Sequence, residues 1–133
     1  MDAPSPALRT LARRLIAEET ARPKSAGARS NAAVQVCEKL RTELTRFAGA
    51  EGFSALMRRA LVLARADVPA LSGVTVTPDG VVDGLEALVT EEADAGIAAA
   101  TALTTQLLGL LVTFIGEPLT QRLVSEAWPD LRG

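Results

Sequence analysis

The chain contains few of the side chains that enzymes use for covalent or acid–base chemistry. It has 133 residues, with no histidine, no tyrosine and a single cysteine, Cys37. Without histidine there is no Ser-His-Asp triad, no Cys-His pair, and no histidine general base or metal ligand. One cysteine also leaves no zinc site of the usual nitrogen and sulfur type. The sequence therefore predicts a protein that is not an enzyme and uses neither a cofactor nor a metal ion.

Carboxylates are the remaining candidates for a metal or acid–base site, and six of them lie close together in the sequence. They are Asp79, Asp83, Glu86, Glu91, Glu92 and Asp94. Such a cluster suits Ca²⁺ or Mg²⁺, but the spacing lacks the alternating ligands and terminal glutamate of an EF-hand loop. A solvated face with one capping carboxylate explains the cluster better, since Asp83 and Glu86 have the spacing of a capping box.

Cys37 and Trp128 each allow a structural and a functional interpretation. A reactive thiol needs exposure and a basic neighbour, whereas Cys37 lies on an apolar helical seam, which favours core packing. The seam consists of Ala33, Cys37, Leu40, Leu44 and Phe47. Trp128 lies at the end of the last predicted helix. It either anchors a partner, as tryptophan often does at interfaces, or closes the helical bundle.

The charges are divided unevenly along the chain. The net charge is −2, yet residues 1–65 hold 12 basic and 6 acidic side chains, whereas residues 66–133 hold 2 basic and 10 acidic ones. Because charge complementarity sets orientation and partner choice, we expect the two parts to face each other, within one chain or between copies. The predicted interaction surface is Arg9, Arg13, Arg14, Arg58, Arg59, Glu91, Glu92, Asp94 and Trp128.

A different interpretation of the N-terminal arginines is nucleic-acid binding, which requires positive charge clustered on one face. Only 3% of the residues are aromatic, so few side chains are available for base stacking. No recognised nucleic-acid motif is present. Nucleic-acid binding is therefore the weaker interpretation, and ordinary solvated helix faces are the stronger one.

Apolar spacing and helix-end signals predict an all-α fold. One helix is predicted over about 6–21, with Pro6 at its first position. A second begins at Ser30 or Asn31 and ends at Gly49, and a third covers about 51–66. A further helix starts near Leu85, and the last runs from Pro118 to just before Pro129.

A short β-hairpin or ordered loop is predicted near 73–82. Residues 74–77 alternate between valine and threonine, Pro78-Asp79-Gly80 is a turn signal, and two valines follow. An isolated two-stranded hairpin is only marginally stable in water, so this segment has to pack on the helices.

The most unusual segment is 95–116, which contains 22 consecutive residues without a charge. This length is sufficient to span a membrane. However, thirteen of the 22 residues are Ala, Gly, Thr or Gln, and both flanks are acidic. The favoured prediction is a compact bundle of about four to six helices around a central helix at about 96–115. That helix is expected to be apolar all round because it is buried all round.

The sequence thus predicts one helical domain over residues 1–133, with residues 1–5 flexible. A single cysteine cannot form an internal disulfide, and the N-terminus lacks the features of a secretory signal, so a cytoplasmic location is expected. The predicted function is a non-enzymatic protein–protein interaction, regulatory or adaptor module that associates with itself or another protein. The alternatives are a membrane-inserting protein that uses 95–116, and a nucleic-acid-binding protein.

Overall fold

A computed structural model describes residues 6–21, 32–78, 80–85, 87–88 and 93–128. Several sequence-based predictions lie outside these residues: the flexibility of residues 1–5, the helix caps Ser30 and Asn31, and the positions of Glu91 and Glu92. The described chain is mostly helical with a single two-stranded sheet, which confirms the predicted all-α bundle with a short hairpin.

In the described residues, four helices of eleven or more residues and two short strands follow one another. They are α1 (Pro6–Ala21), α2 (Ala32–Asp67), β1 (Thr75–Val76), β2 (Val82–Asp83), α3 (Ala93–Ile115) and α4 (Glu117–Ala127). A short 3-10 helix, Pro69–Gly73, joins α2 to β1. The strands are antiparallel, with Thr75 opposite Asp83 and Val76 opposite Val82.

Helix α1 covers the predicted range and buries one side of its surface. Its first residue is Pro6, which lacks an N–H and has a backbone angle suited to a helix start. Ala12, Leu15 and Ile16 are buried. Through these residues α1 packs against both α3 and α2, and its contact with α3 is the larger one.

Helix α2 differs from the prediction of two separate helices, because it resumes immediately after Gly49. Gly49 has φ 83° and ψ 162°, a backbone conformation that is essentially restricted to glycine. The break redirects the chain without a loop. The predicted apolar seam is wrong at its last residue: Leu44 is buried, but Phe47, two residues before the break, is exposed.

Helix α3 is the centre of the bundle, and its middle is enclosed. Every residue from 99 to 105 is buried, and so are Leu107, Leu108 and Leu111. Helices α2 and α1 provide most of this cover. The prediction of burial all round is therefore right for the middle of the helix and wrong for its ends, where Ile97 and Phe114 are exposed.

The hairpin packs on α2, as a marginal two-stranded unit must. The Arg65 Nε–H donates to the Leu71 carbonyl oxygen at 3.3 Å, and an Nη2–H donates to the Val74 carbonyl oxygen at 2.8 Å. At the turn, Gly80 has φ 88° and lies directly over the buried Phe53 ring. The last turn of α2 and the Phe53 ring thus position the hairpin from two sides.

Replacing Gly80 with alanine tests this packing. A Cβ atom at Gly80 would lie 2.7 Å from Phe53 Cδ2, and φ 88° disfavours any side chain. We expect Gly80→Ala to lower the free energy of unfolding by about 2–4 kcal/mol in urea denaturation. Gly73→Ala is the matched control, because its Cβ would meet no atom within 4 Å. Equal losses in the two variants would contradict the described packing.

Candidate interaction surface

The predicted surface arginines lie on α1 and α2, and one of them joins the two helices. Arg9 Nη2 lies 3.6 Å from Asp67 Oδ2, which connects the start of α1 to the end of α2. Both side chains are roughly half exposed, and ion pairs of this kind contribute little to stability. Arg13, Arg14, Arg58 and Arg59 are exposed, and their role in an interaction surface stays a prediction.

The acidic members of the predicted surface are only partly described. Glu91 and Glu92 lie outside the described residues, and Asp94 lies in α3 with its side chain outside them. Three of the described ion pairs join residues three or four apart within one helix: Arg41–Glu38, Arg46–Glu43 and Arg122–Glu126. In the described residues, the contact between the basic and acidic parts of the chain is Arg9–Asp67.

Trp128 is a core residue, which corrects its inclusion in the predicted surface. Its side chain is 0% exposed, and its backbone N–H donates to the Val124 carbonyl oxygen at 2.9 Å, which ends α4. Lys39 of α2 lies over the indole, with Nζ 5.6 Å from the ring centroid, a geometry that suits a cation–π interaction. Of its two interpretations, the one in which Trp128 closes the bundle is right.

Cys37 is also a core residue, as its position in the apolar seam indicates. Burial, together with the smaller effect of the neighbouring Glu38 carboxylate, raises the pKa of the Cys37 thiol to about 12. The thiol is therefore protonated at neutral pH and a poor nucleophile. In the described ranges, no group of three or more His, Cys, Asp or Glu side chains is arranged to hold a metal ion.

Large apolar side chains are exposed at four positions of the described chain: Phe47, Val62, Ile97 and Phe114. The protein has only four aromatic residues, and two of them are on this list. Phe114, at the end of α3, is 64% exposed, and Phe47 is 49% exposed. Exposed aromatic side chains are typical of contact surfaces, where they supply much of the binding energy.

A groove of about 350 Å³ lies between α1 and α4, above the C-terminal part of α3. Its apolar lining is formed by Leu8, Leu11, Val112 and Val124. Arg14 lines it on the α1 side, and Glu117 lines it on the α4 side. We call this the α1–α4 groove. Of the predicted surface residues that the structure describes, Arg14 belongs to it.

Sequence reasoning placed Arg14 correctly on the surface but did not find the groove itself. Leu8 and Leu11 lie at helical spacing with the buried Leu15, yet both are only half-buried, because α4 does not close over them. The turn at Gly116, with φ 90°, determines where α4 lies. The sequence marks that residue as a helix boundary but contains no signal for the direction of the turn.

Helix α3 is also the candidate membrane segment. Within the described residues, the segment Ala95–Ile115 is long and apolar enough to cross a membrane, and a little over half of it is buried inside the bundle. The core helix of a water-soluble bundle has the same length and composition.

Comparison with protein-family models finds no match for this chain, and comparisons with curated proteins and solved structures find none either.

Three threonines lie in the buried middle of α3, and they differ in hydrogen bonding. Thr101 Oγ1 donates to the Ile97 carbonyl oxygen at 2.8 Å, and Thr105 Oγ1 donates to the Thr101 carbonyl oxygen at 2.6 Å. Thr104 Oγ1 is buried and has no hydrogen-bond partner among the described residues. A buried hydroxyl without a partner destabilises the fold, because its hydration is lost without compensation.

Valine substitutions at two of these positions test the burial of α3. Valine has nearly the same shape as threonine, so we expect Thr104→Val to raise the free energy of unfolding by about 1 kcal/mol. Thr105→Val is the control and should lower it by about 1 kcal/mol, since it loses a formed hydrogen bond. Urea denaturation measures both. Shifts in the same direction would contradict the different environments of the two hydroxyls.

Proposed function

We propose that this protein is a non-enzymatic interaction module that associates with a second copy of itself. The observation that carries the proposal is the exposure of Phe114, on the most apolar helix of the chain. The chain has few aromatic residues, and it buries Phe53 and Trp128 completely. The exposed Phe114 ring is therefore a feature that the core of the bundle does not explain.

The energy available at Phe114 is large enough to matter for association. A phenylalanine side chain that is 64% exposed leaves roughly 130 Å² of apolar surface in water. Covering this area contributes about 3 kcal/mol at about 25 cal/mol per Å². Because each copy of a symmetric dimer buries the same patch, one side chain contributes twice.

The buried Cys37 and the lack of histidine support a binding function over catalysis. Cys37 is protonated at neutral pH because its pKa is raised by burial, so it supplies no thiolate nucleophile. Histidine, the commonest general acid and base, is absent from the sequence. An interaction module needs neither of these groups.

Size-exclusion chromatography with light scattering, without detergent and over a range of concentrations, tests the proposal. We expect a defined oligomer for the wild type and an increase of about tenfold or more in Kd for Phe114→Ser, because the apolar contact is lost. Val62→Ser is the matched control, since Val62 on α2 is similarly exposed, at 61%, and should leave Kd unchanged.

Two outcomes would contradict this proposal. A wild type that stays monomeric at every concentration overturns self-association. An oligomer that weakens equally in both variants, or in neither, overturns the role of Phe114. Circular dichroism of each variant shows whether the fold is retained, and both positions are exposed enough for serine to be tolerated.

Membrane insertion is the second candidate function, because Ala95–Ile115 meets the length and composition needed to span a bilayer. Insertion would require α3 to leave the cover that α1 and α2 provide over residues 99–105. It would also place Thr101, Thr104 and Thr105 in or near the hydrocarbon region. These requirements make insertion the less favoured candidate.

Flotation with liposomes of zwitterionic and anionic lipid separates the two candidates. The interaction proposal predicts that the protein stays with the water-soluble fraction and needs no detergent for recovery. Flotation that survives high salt and carbonate washing would favour insertion, because these washes remove proteins held only at the surface by charge. That outcome would contradict an interaction module that acts in water.

A further inference from the structure

We infer that the α1–α4 groove is the contact between two copies of this chain, with Arg14 of each copy facing Glu117 of the other. This inference rests on the proposed self-association and adds the surface, the symmetry and the pairing. Three observations carry it: the apolar lining of the groove, its opposite charges, and the low net charge of the chain.

The groove is lined by apolar side chains that the bundle buries only in part. Leu8, Leu11 and Val112 are half-buried, although they belong to the apolar faces of α1 and α3. The exposed part of each side chain would be buried only by atoms outside the described residues. An apolar centre surrounded by polar side chains is the usual anatomy of a protein contact.

The polar edge of the groove has opposite charges on its two sides. Arg14 of α1 and Glu117 of α4 line the same groove, and both side chains are exposed. Within the described part of the chain, Glu117 takes part in no ion pair. A two-fold axis through the groove would bring each guanidinium to the other copy's carboxylate.

A second copy suits this surface because a two-fold interface has to be complementary to itself. A groove with charges of one sign would repel its own copy and would suit an oppositely charged partner. This groove contains one charge of each sign, so rotation by 180° matches unlike charges at both ends. The net charge of −2 also means that two copies repel each other only weakly at long range.

A contact of standard size reaches beyond the groove itself. A standard interface covers about 800 Å² on each partner, which is a modest part of the 7075 Å² of surface on this chain. Phe114 is two residues from Val112 on α3, so the two side chains lie on different faces of that helix, and Phe114 does not line the groove. The groove is therefore tested separately from the contact at Phe114.

Glu117 also has a structural role, and the test has to separate the two. It lies in the first turn of α4, where a carboxylate interacts favourably with the helix dipole. A single substitution at Glu117 therefore weakens α4 slightly, whether or not a dimer forms. Mixing two different variants separates the two roles. A defect within α4 would persist in the mixture, whereas a contact between opposite charges on two copies would be restored.

The experiment is a reciprocal charge exchange measured by light scattering. Arg14→Glu and Glu117→Arg are prepared separately, and each should increase the dimer Kd by about tenfold or more, since two like-charge contacts form in each homodimer. In an equimolar mixture, every contact across the heterodimer again joins opposite charges, so we expect recovery to near the wild-type Kd. Arg46→Glu, a change of the same charge at a side chain that is 70% exposed and outside the groove lining, should leave Kd unchanged.

Failure of the groove and failure of self-association give different results. A monomeric wild type overturns both. A wild-type oligomer that neither groove variant weakens retains the proposed function and overturns the groove as its site. Two weakened variants whose mixture does not recover overturn the reciprocal Arg14–Glu117 pairing.

Discussion

A helix that contains no charge over more than twenty residues is stable in water only when other parts of the chain cover it. In this protein the segment is 95–116, and the cover is provided mainly by α2 and α1. Residues 99–105 are buried without exception, and alanine occupies three of these positions. Small side chains let neighbouring helices approach closely, so the middle of α3 is enclosed with few aromatic residues.

The same requirement explains what is left exposed. Helix α3 has 23 residues and is roughly 35 Å long. The cover from α2 and α1 encloses its middle, whereas Ile97 and Phe114 near its two ends are exposed. Helix α4 folds back after Gly116 and is fixed by the buried Trp128, which leaves the α1–α4 groove between α4 and α1. The candidate surface is thus a consequence of how the uncharged helix is covered.

Local features of this fold were predictable from the sequence because local forces determine them. The bounds of α1 and the position of the hairpin follow from apolar spacing, Pro6 and the turn around Gly80. The continuation of α2 past Gly49 was not predictable, since a positive φ there suits both a helix end and a kink. The burial of Trp128 and the groove depend on the direction in which α4 folds back, and that direction is set by packing between distant parts of the chain. Charge composition identified Arg14, whereas Glu117 became a candidate only through its position across the groove.

Hydrogen exchange resolved along α3 tests most directly the claim that its middle is the core of a bundle folded in water. In buffer without lipid or detergent, the amides of residues 99–111 should exchange only by global unfolding. Their protection should then match the free energy of unfolding from urea denaturation, with faster exchange near residues 113–116. Rapid exchange throughout α3 in buffer, with protection only after lipid is added, would contradict this account and favour a helix that is ordered by a membrane.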